Sequence, residues 1–199
     1  RYDVQVALMD EPALILLRAR DPDALRSVVT EHGRRLYRAA RGMGLSSTVA
    51  EDVVQDVFVT FLETLDRFEG RAQVGTWLFG ILHHKALERR RSSARDDLNE
   101  PVDTVFEAQF DERGHWARRP LGPDRAFDAR ESAAAIAGCL DALTGQRRDV
   151  FHFRQVEELS AAEVSKITGL SVTHIGVVLH RARTALRACL EAKGWGRSR

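Results

Sequence analysis

From Val53 to Leu65 the apolar residues Val53, Val54, Val57, Phe58, Phe61, Leu62 and Leu65 recur at the i, i+3, i+4, i+7 spacing of one helix face. The opposite face carries Asp52, Gln55, Asp56, Glu63 and Asp66, with no Lys or Arg from Ala50 to Asp66. Thr48 followed by Glu51 reads as a capping box that opens this helix. After a short break at Phe68-Glu69-Gly70-Arg71, a second helix is expected through Trp77-Leu78-Phe79 and on into Lys85, Arg89, Arg90, Arg91 and Arg95. An acidic helix and an aromatic, basic helix one loop apart suit two partners of opposite charge. No stretch of the chain alternates apolar and polar residues long enough for a strand, so the expected fold class is all-α.

Glu11 to Arg18 and Asp21 to Met43 read as two earlier helices. Asp21 or Asp23 would cap the second, Leu25, Val28, Val29, Leu36 and Ala39 would form its apolar face, and Gly42 and Gly44 would stop it. Residues 10–95 therefore form a first small helical domain. Residues 96–124 change character: Asp96, Asp97, Glu100, Asp103, Glu107, Asp111 and Glu112 come with no base among them, and Pro120 and Pro123 close the segment. This reads as an acidic, flexible linker. Val102, Val105, Phe106, Phe110 and Trp116 are more apolar residues than a solvated linker needs, and are expected to dock on something.

A second small helical domain is expected over 125–193. Ala129 to Leu143 and Gln146 to Leu159 read as helices, and Ser160 with Glu163 as a capping box for a short helix stopped by Gly169. Ser171 then caps a long helix with the buried stripe Val172, Ile175, Leu179, Ala182, Leu186 and Leu190. Short helix, turn and long helix make a helix-turn-helix. Thr173, His174 and Val177 lie at the end of the long helix where such elements meet base edges, with His180, Arg181, Arg183 and Arg187 where phosphates would run. The same arginines also fit the solvated face of an ordinary helical hairpin.

A net charge of +1 gives no global case for nucleic acid, so the case rests on local basic blocks at 85–95 and 181–187. With 199 residues, 44% hydrophobic, the chain can bury one moderate core or two small ones. Cys139 and Cys189, the only cysteines, read as buried free thiols rather than a redox pair or metal ligands. No apolar run approaches the roughly 18 residues of a membrane span, and no signal-peptide pattern follows Arg1. A soluble cytoplasmic protein without membrane insertion is expected.

Ala50-Glu51-Asp52-Val53-Val54-Gln55-Asp56-Val57-Phe58, then Thr76-Trp77-Leu78, then Leu179-His180-Arg181-Ala182-Arg183 with Leu186-Arg187, resembles a bacterial RNA polymerase sigma factor of the extracytoplasmic-function group. The resemblance covers about residues 10–95 and 125–192. It implies a first domain that grips core RNA polymerase and melts the −10 promoter element, and a second that reads the −35 element. It implies promoter DNA and an inhibitory anti-sigma factor as further partners, no cofactor, no metal and no catalytic residue. Asp52, Gln55, Asp56 and Phe58 match the polymerase-binding helix, although a solvated acidic face is the alternative for the acids. Phe68, Arg71 and Trp77 match the loop and helix start that capture a −10 base, with His84, Lys85, Arg89, Arg90 and Arg91 alongside the phosphates. Trp77 fits a core position equally well, and the basic helix end fits the helix dipole alone. Thr173, His174, Val177, His180, Arg181 and Arg183 match the −35 reader.

The chain departs from the family pattern at two places. Gly176-Val177-Val178 replaces a polar, basic stretch, leaving Val177 to meet a thymine methyl. His83-His84 stands in place of an arginine and an asparagine; adjacent helical residues point apart, which argues against a shared metal even with Glu88 one turn on. Two rival readings are a stand-alone helix-turn-helix regulator, which would bind duplex operator without polymerase, and a metal hydrolase built on His83, His84 and His115. No nucleophile with an ordered base and no phosphate-cradling glycine loop is present, so the chain does not read as an enzyme.

Overall fold

The computed structural model of the chain describes residues 11–70, 72–93 and 129–195. Those residues form helices and turns only. The first half contains α1 (Glu11–Arg18), α2 (Pro22–Gly42), α3 (Ser47–Thr64), a 3-10 turn (Leu65–Arg67) and α4 (Val74–Ser93). The second contains α5 (Ala129–Asp141), α6 (Gly145–Phe151), a π turn (His152–Val156), α7 (Ala161–Thr168) and α8 (Val172–Ala192).

Local chemistry sets most boundaries. Asp21 Oδ1 accepts from the Asp23 and Ala24 amides at 3.1 and 2.9 Å, and Pro22 occupies the first turn of α2, where its missing N–H costs nothing. Gly44, at φ 93°, provides the left-handed residue that turns the chain into α3. The cap of α3 is Ser46, whose Oγ accepts from the Val49 amide at 3.3 Å, and not Thr48. Ser46 is the nearer hydroxyl to the glycine turn and already has extended backbone, so Thr48 falls inside the first turn. Ser160 and Glu163 do form a reciprocal capping box, with bonds of 3.2 and 2.8 Å. Gly169, at φ 74°, ends α7, and Ser171 caps α8 through the His174 amide at 3.2 Å.

The acidic helix keeps one core stripe: Ala50, Val53, Val57 and Phe61 are buried, continued by Leu65, while Val54 and Phe58 are half-buried and Leu62 is exposed. In α2 the buried set is Val28, His32, Leu36, Ala39 and Ala40, and Val29 faces outward. α4 buries Leu78 and Leu82 together with Phe79, His83 and Ala86, more than one face, because it is packed on α2 and α3 on one side and on α7 on the other. The two domains consequently share one core, running from Leu17 through α2, α3 and α4 into Val150, Phe153, Val164, Ile167, Ile175 and Leu179. A smaller cluster, Cys139, Leu143, Ala182 and Leu186, joins α5 to α8.

Other expectations need correction. Cys139 and Cys189 are not free thiols but a disulfide, with Cα atoms 5.8 Å apart. Their separation of 50 residues hid the pairing, which only the packing of α5 on α8 creates. Val172 is 52% exposed, and Val178 takes its place in the buried stripe of α8. The helix expected to Leu159 winds as α only to Phe151; the π turn then widens it, and Glu158 takes φ 56°. α5 stops at Asp141, two residues before Leu143. The linker aromatics Phe106, Phe110 and Trp116, and Arg71 of the expected −10 set, lie outside the described residues.

Candidate polymerase and promoter-DNA interface

On α3, Asp52 and Gln55 are exposed and Asp56 is half-exposed, all away from the core stripe. Val59 (54% exposed) continues the same face, so acid and apolar surface stand side by side. Phe58 is half-buried and packs against the core. Asp56 Oδ2 lies 3.2 Å from Arg89 Nη2, which couples the acidic helix to the basic end of α4.

The loop between α3 and α4 is held by a residue that sequence inspection passed over: Arg18 donates to the Phe68 carbonyl through Nε at 3.2 Å and Nη2 at 2.8 Å. Phe68 is thereby fixed under Trp77, their rings stacked at 4.6 Å and 6°, while Phe61 meets Trp77 edge-on at 5.4 Å. Trp77 is only partly buried. It lines a cavity of about 260 Å³ with Arg67, Phe68, Glu69, Thr76, Gly80 and, from α7, Lys166. An aromatic wall with cationic rims is the chemistry that accepts an unstacked base.

Along α4, His84 and Arg91 are exposed, Lys85 is half-buried, Arg89 pairs with Asp56, and Arg90 Nη2 lies 2.5 Å from Asp149 Oδ2. The structure thus separates the expected basic row: part faces outward and Arg90 turns toward the C-terminal domain. His83 is buried, its Nε2 3.6 Å from Asp149 Oδ2, while His84 is exposed, the two rings lying edge-to-face with centroids 6.1 Å apart. Among the described residues no group of three or more His, Cys, Asp or Glu could hold a metal ion, and His115 lies outside them.

In the helix-turn-helix, Thr173, His174, Gly176 and Val177 form an exposed N-terminal surface on α8, and nothing lies near Gly176. His180 is half-buried, Arg181 and Arg183 are exposed, and Arg183 Nη2 donates to Gln155 Oε1 at 2.8 Å. Arg187 is held by Glu191 at 2.8 Å.

Three groups have shifted acidities. Burial pushes the Glu157 carboxyl up, but the His152 and Arg35 contacts outweigh it and hold it below the ordinary value. Glu163 is likewise raised by burial and lowered further by Ser160, Thr76 and Lys166. Burial holds the His32 imidazole below its ordinary value, with Glu31 opposing and Arg35 assisting. None of Asp149, Glu157 or Glu163 stood out in the sequence as a contact between domains; the capping box was the one visible hint, and it named Glu163 for a different role.

The chain matches the family models described as Sigma-70 region 2, over residues 28–96, and Sigma-70 region 4, over residues 133–186. It is 30% identical to the RNA polymerase sigma factor CnrH of Cupriavidus metallidurans over 85% of this chain and 87% of that one. It is 27% identical to the ECF RNA polymerase sigma factor SigX of Bacillus subtilis, over 78% of each chain. Among solved structures, that of CnrH in complex with the cytosolic domain of CnrY matches with a TM-score of 0.66 and 27% identity, covering 92% of this chain and 97% of that one.

Proposed function

The chain belongs to the extracytoplasmic-function group of RNA polymerase sigma factors, and we propose that its two helical domains divide the work of promoter recognition between them. As a member it is a transcription initiation factor and not an enzyme, and its partners are core RNA polymerase and promoter DNA. Residues 10–95 take the polymerase and the −10 element, 96–124 connect, and 125–193 take the −35 element. Asp52, Gln55 and Asp56 dock on basic residues of the polymerase, with the partly exposed Phe58 in the same contact. Phe68 and Trp77 wall the site of a flipped −10 base, with Arg67 at its rim; Arg71, His84, Lys85, Arg89, Arg90 and Arg91 serve the melted strand, Arg90 by exchanging its Asp149 contact for a phosphate. Thr173, His174 and Val177 face the −35 base edges, and His180, Arg181 and Arg183 the phosphates. No helix among the described residues is long and apolar enough to cross a membrane; we place the chain in the cytoplasm with its polymerase.

The observation that carries this assignment is the Phe68–Trp77 stack opening onto a cation-rimmed cavity, in the same chain as an exposed helix-turn-helix. CnrH was captured with the cytosolic domain of CnrY, and an inhibitory anti-sigma partner for this chain fits that likeness. The test is a titration of core polymerase with the purified chain, beside the chain alone on promoter duplex. Polymerase-dependent promoter binding is expected. Tight, specific duplex binding by the chain alone would return the stand-alone regulator.

A further inference from the structure

The outer face of α8 lacks the side chains that tell bases apart by paired hydrogen bonds. From Leu170 to His180 there is no Arg, Lys, Asn, Gln, Asp or Glu. Arginine or lysine on guanine, asparagine or glutamine on adenine and a carboxylate on cytosine are therefore all missing from the stretch of a helix-turn-helix that meets base edges. The contact left that separates one base from the other three is apolar, against the C5-methyl of thymine.

The exposed surface suits that contact. Ile175, Val178 and Leu179 turn into the core, while Thr173, Gly176 and Val177 face outward, Val177 at 45% exposure. Thr173 lies three residues from Gly176 and four from Val177, so the three share one patch. The apolar groups of that patch are the Thr173 methyl and the two Val177 methyls. Gly176 is a second, independent observation. Glycine weakens the middle of a helix, and a β-carbon placed there would meet nothing within 4 Å, so packing inside the chain gives no reason for it. Without a side chain at 176, the α8 backbone can come down onto the groove floor and bring the flanking methyls to the bases. Arg181 and Arg183, exposed, follow one turn further on, where phosphates run.

We propose that α8 reads its promoter element through methyl groups, with Val177 and the Thr173 methyl selecting thymines and Gly176 setting the depth at which the helix lies. The proposal rests on the sigma-factor function above and adds the base class that this site takes. It has a consequence for modified DNA. 5-Methylcytosine carries a methyl at the same place in the major groove, so it stands in for thymine where cytosine does not.

The test uses the full chain bound to core polymerase, on a promoter chosen by chain-dependent run-off, with binding read by mobility shift. Upstream-element thymines are replaced by deoxyuridine, which removes the methyl and keeps the pairing, or their pairs by cytosine–guanine or 5-methylcytosine–guanine. Each methyl lost at a contacted thymine should weaken binding about fourfold, the worth of one buried carbon, and 5-methylcytosine should exceed cytosine by about the same factor. Val177→Ser, at an exposed position, should keep its helicity by circular dichroism, bind the thymine template more weakly and lose the distinction between thymine and uracil. Gly176→Ala should be at least as stable as wild type and bind every template more weakly. Equal wild-type binding to thymine and uracil, a methyl preference that Val177→Ser leaves whole, or full affinity in Gly176→Ala overturns the methyl reading and leaves the function standing. No promoter binding beyond that of core polymerase alone, on any template, overturns the function instead.

Discussion

Trp77 illustrates how one side chain serves packing and recognition together. Its edge and one face are covered by Phe61 and Phe68, and the remainder lines the cavity. Trp77→Ala should lower open-complex formation on duplex promoters by the worth of a stack, about 1–3 kcal/mol, with a smaller loss on templates already mismatched across the −10 element. Equal loss on both, read by permanganate footprinting, would make Trp77 a core residue only; because deleting a buried Trp costs roughly 3–5 kcal/mol of stability, Trp77→Phe at matched stability is the control. His32 gives a second test. Its folded-state pKa lies below the ordinary 6.5, so the unfolded chain binds the proton more readily. Its contribution to stability is complete above pH 6.5 and is lost as pH falls through the depressed folded value. Glu157 and Glu163, also depressed below 4.5, add a second loss below that pH. Denaturant melts of His32→Gln should lose the slope just under pH 6.5 and keep the one at lower pH; an unchanged profile would remove His32 from the account. At this scale the sequence showed residue types and missed partners. The stripe of α3 was readable from spacing, but Val172 and Val178 could be exchanged because both sit near the edge of one stripe.

At the scale of elements, α3 and α4 were legible because each advertises itself: one carboxylate face, one aromatic and basic run. Their coupling was not, since the Asp56–Arg89 pair joins residues 33 apart. The pair makes Asp56→Lys a poor probe, as it would set two cations together. Asp52, exposed and outside the Asp56–Arg89 pair, is the cleaner site. Asp52→Lys should weaken core-polymerase binding by about tenfold, or about 1.4 kcal/mol, with helicity unchanged; full affinity would take α3 out of the docking surface. The α5–α8 disulfide closes a loop of 50 residues, which the chain-entropy account values on the order of 4 kcal/mol. Reduction, or Cys139→Ser with Cys189→Ser, should lower the stability of the C-terminal domain by up to that amount in denaturant melts. A melt unaffected by reductant would mean that the thiols are not joined in solution. Spacing gave no access to this pairing, because compartment alone argued for free thiols.

At the scale of the whole molecule, two helical domains and their order were readable from three motifs, whereas their mutual packing was not. Asp149 stands between Arg148 and Val150 and resembles any helical acid until Arg90 and His83 arrive from another domain. An inhibitory partner that clamps both domains should protect residues 48–66 and α8 from hydrogen exchange relative to the free chain. Protection of neither would remove the clamp and leave the family assignment intact.

The central claim is that this chain gives core polymerase its promoter choice through two domains at once. Run-off transcription by core polymerase on a randomised promoter library, with and without the chain, tests it most directly. Starts that appear only with the chain, preceded by two short shared elements at a fixed separation, are the predicted result. Starts that are independent of the chain, or that share no paired elements, would contradict it.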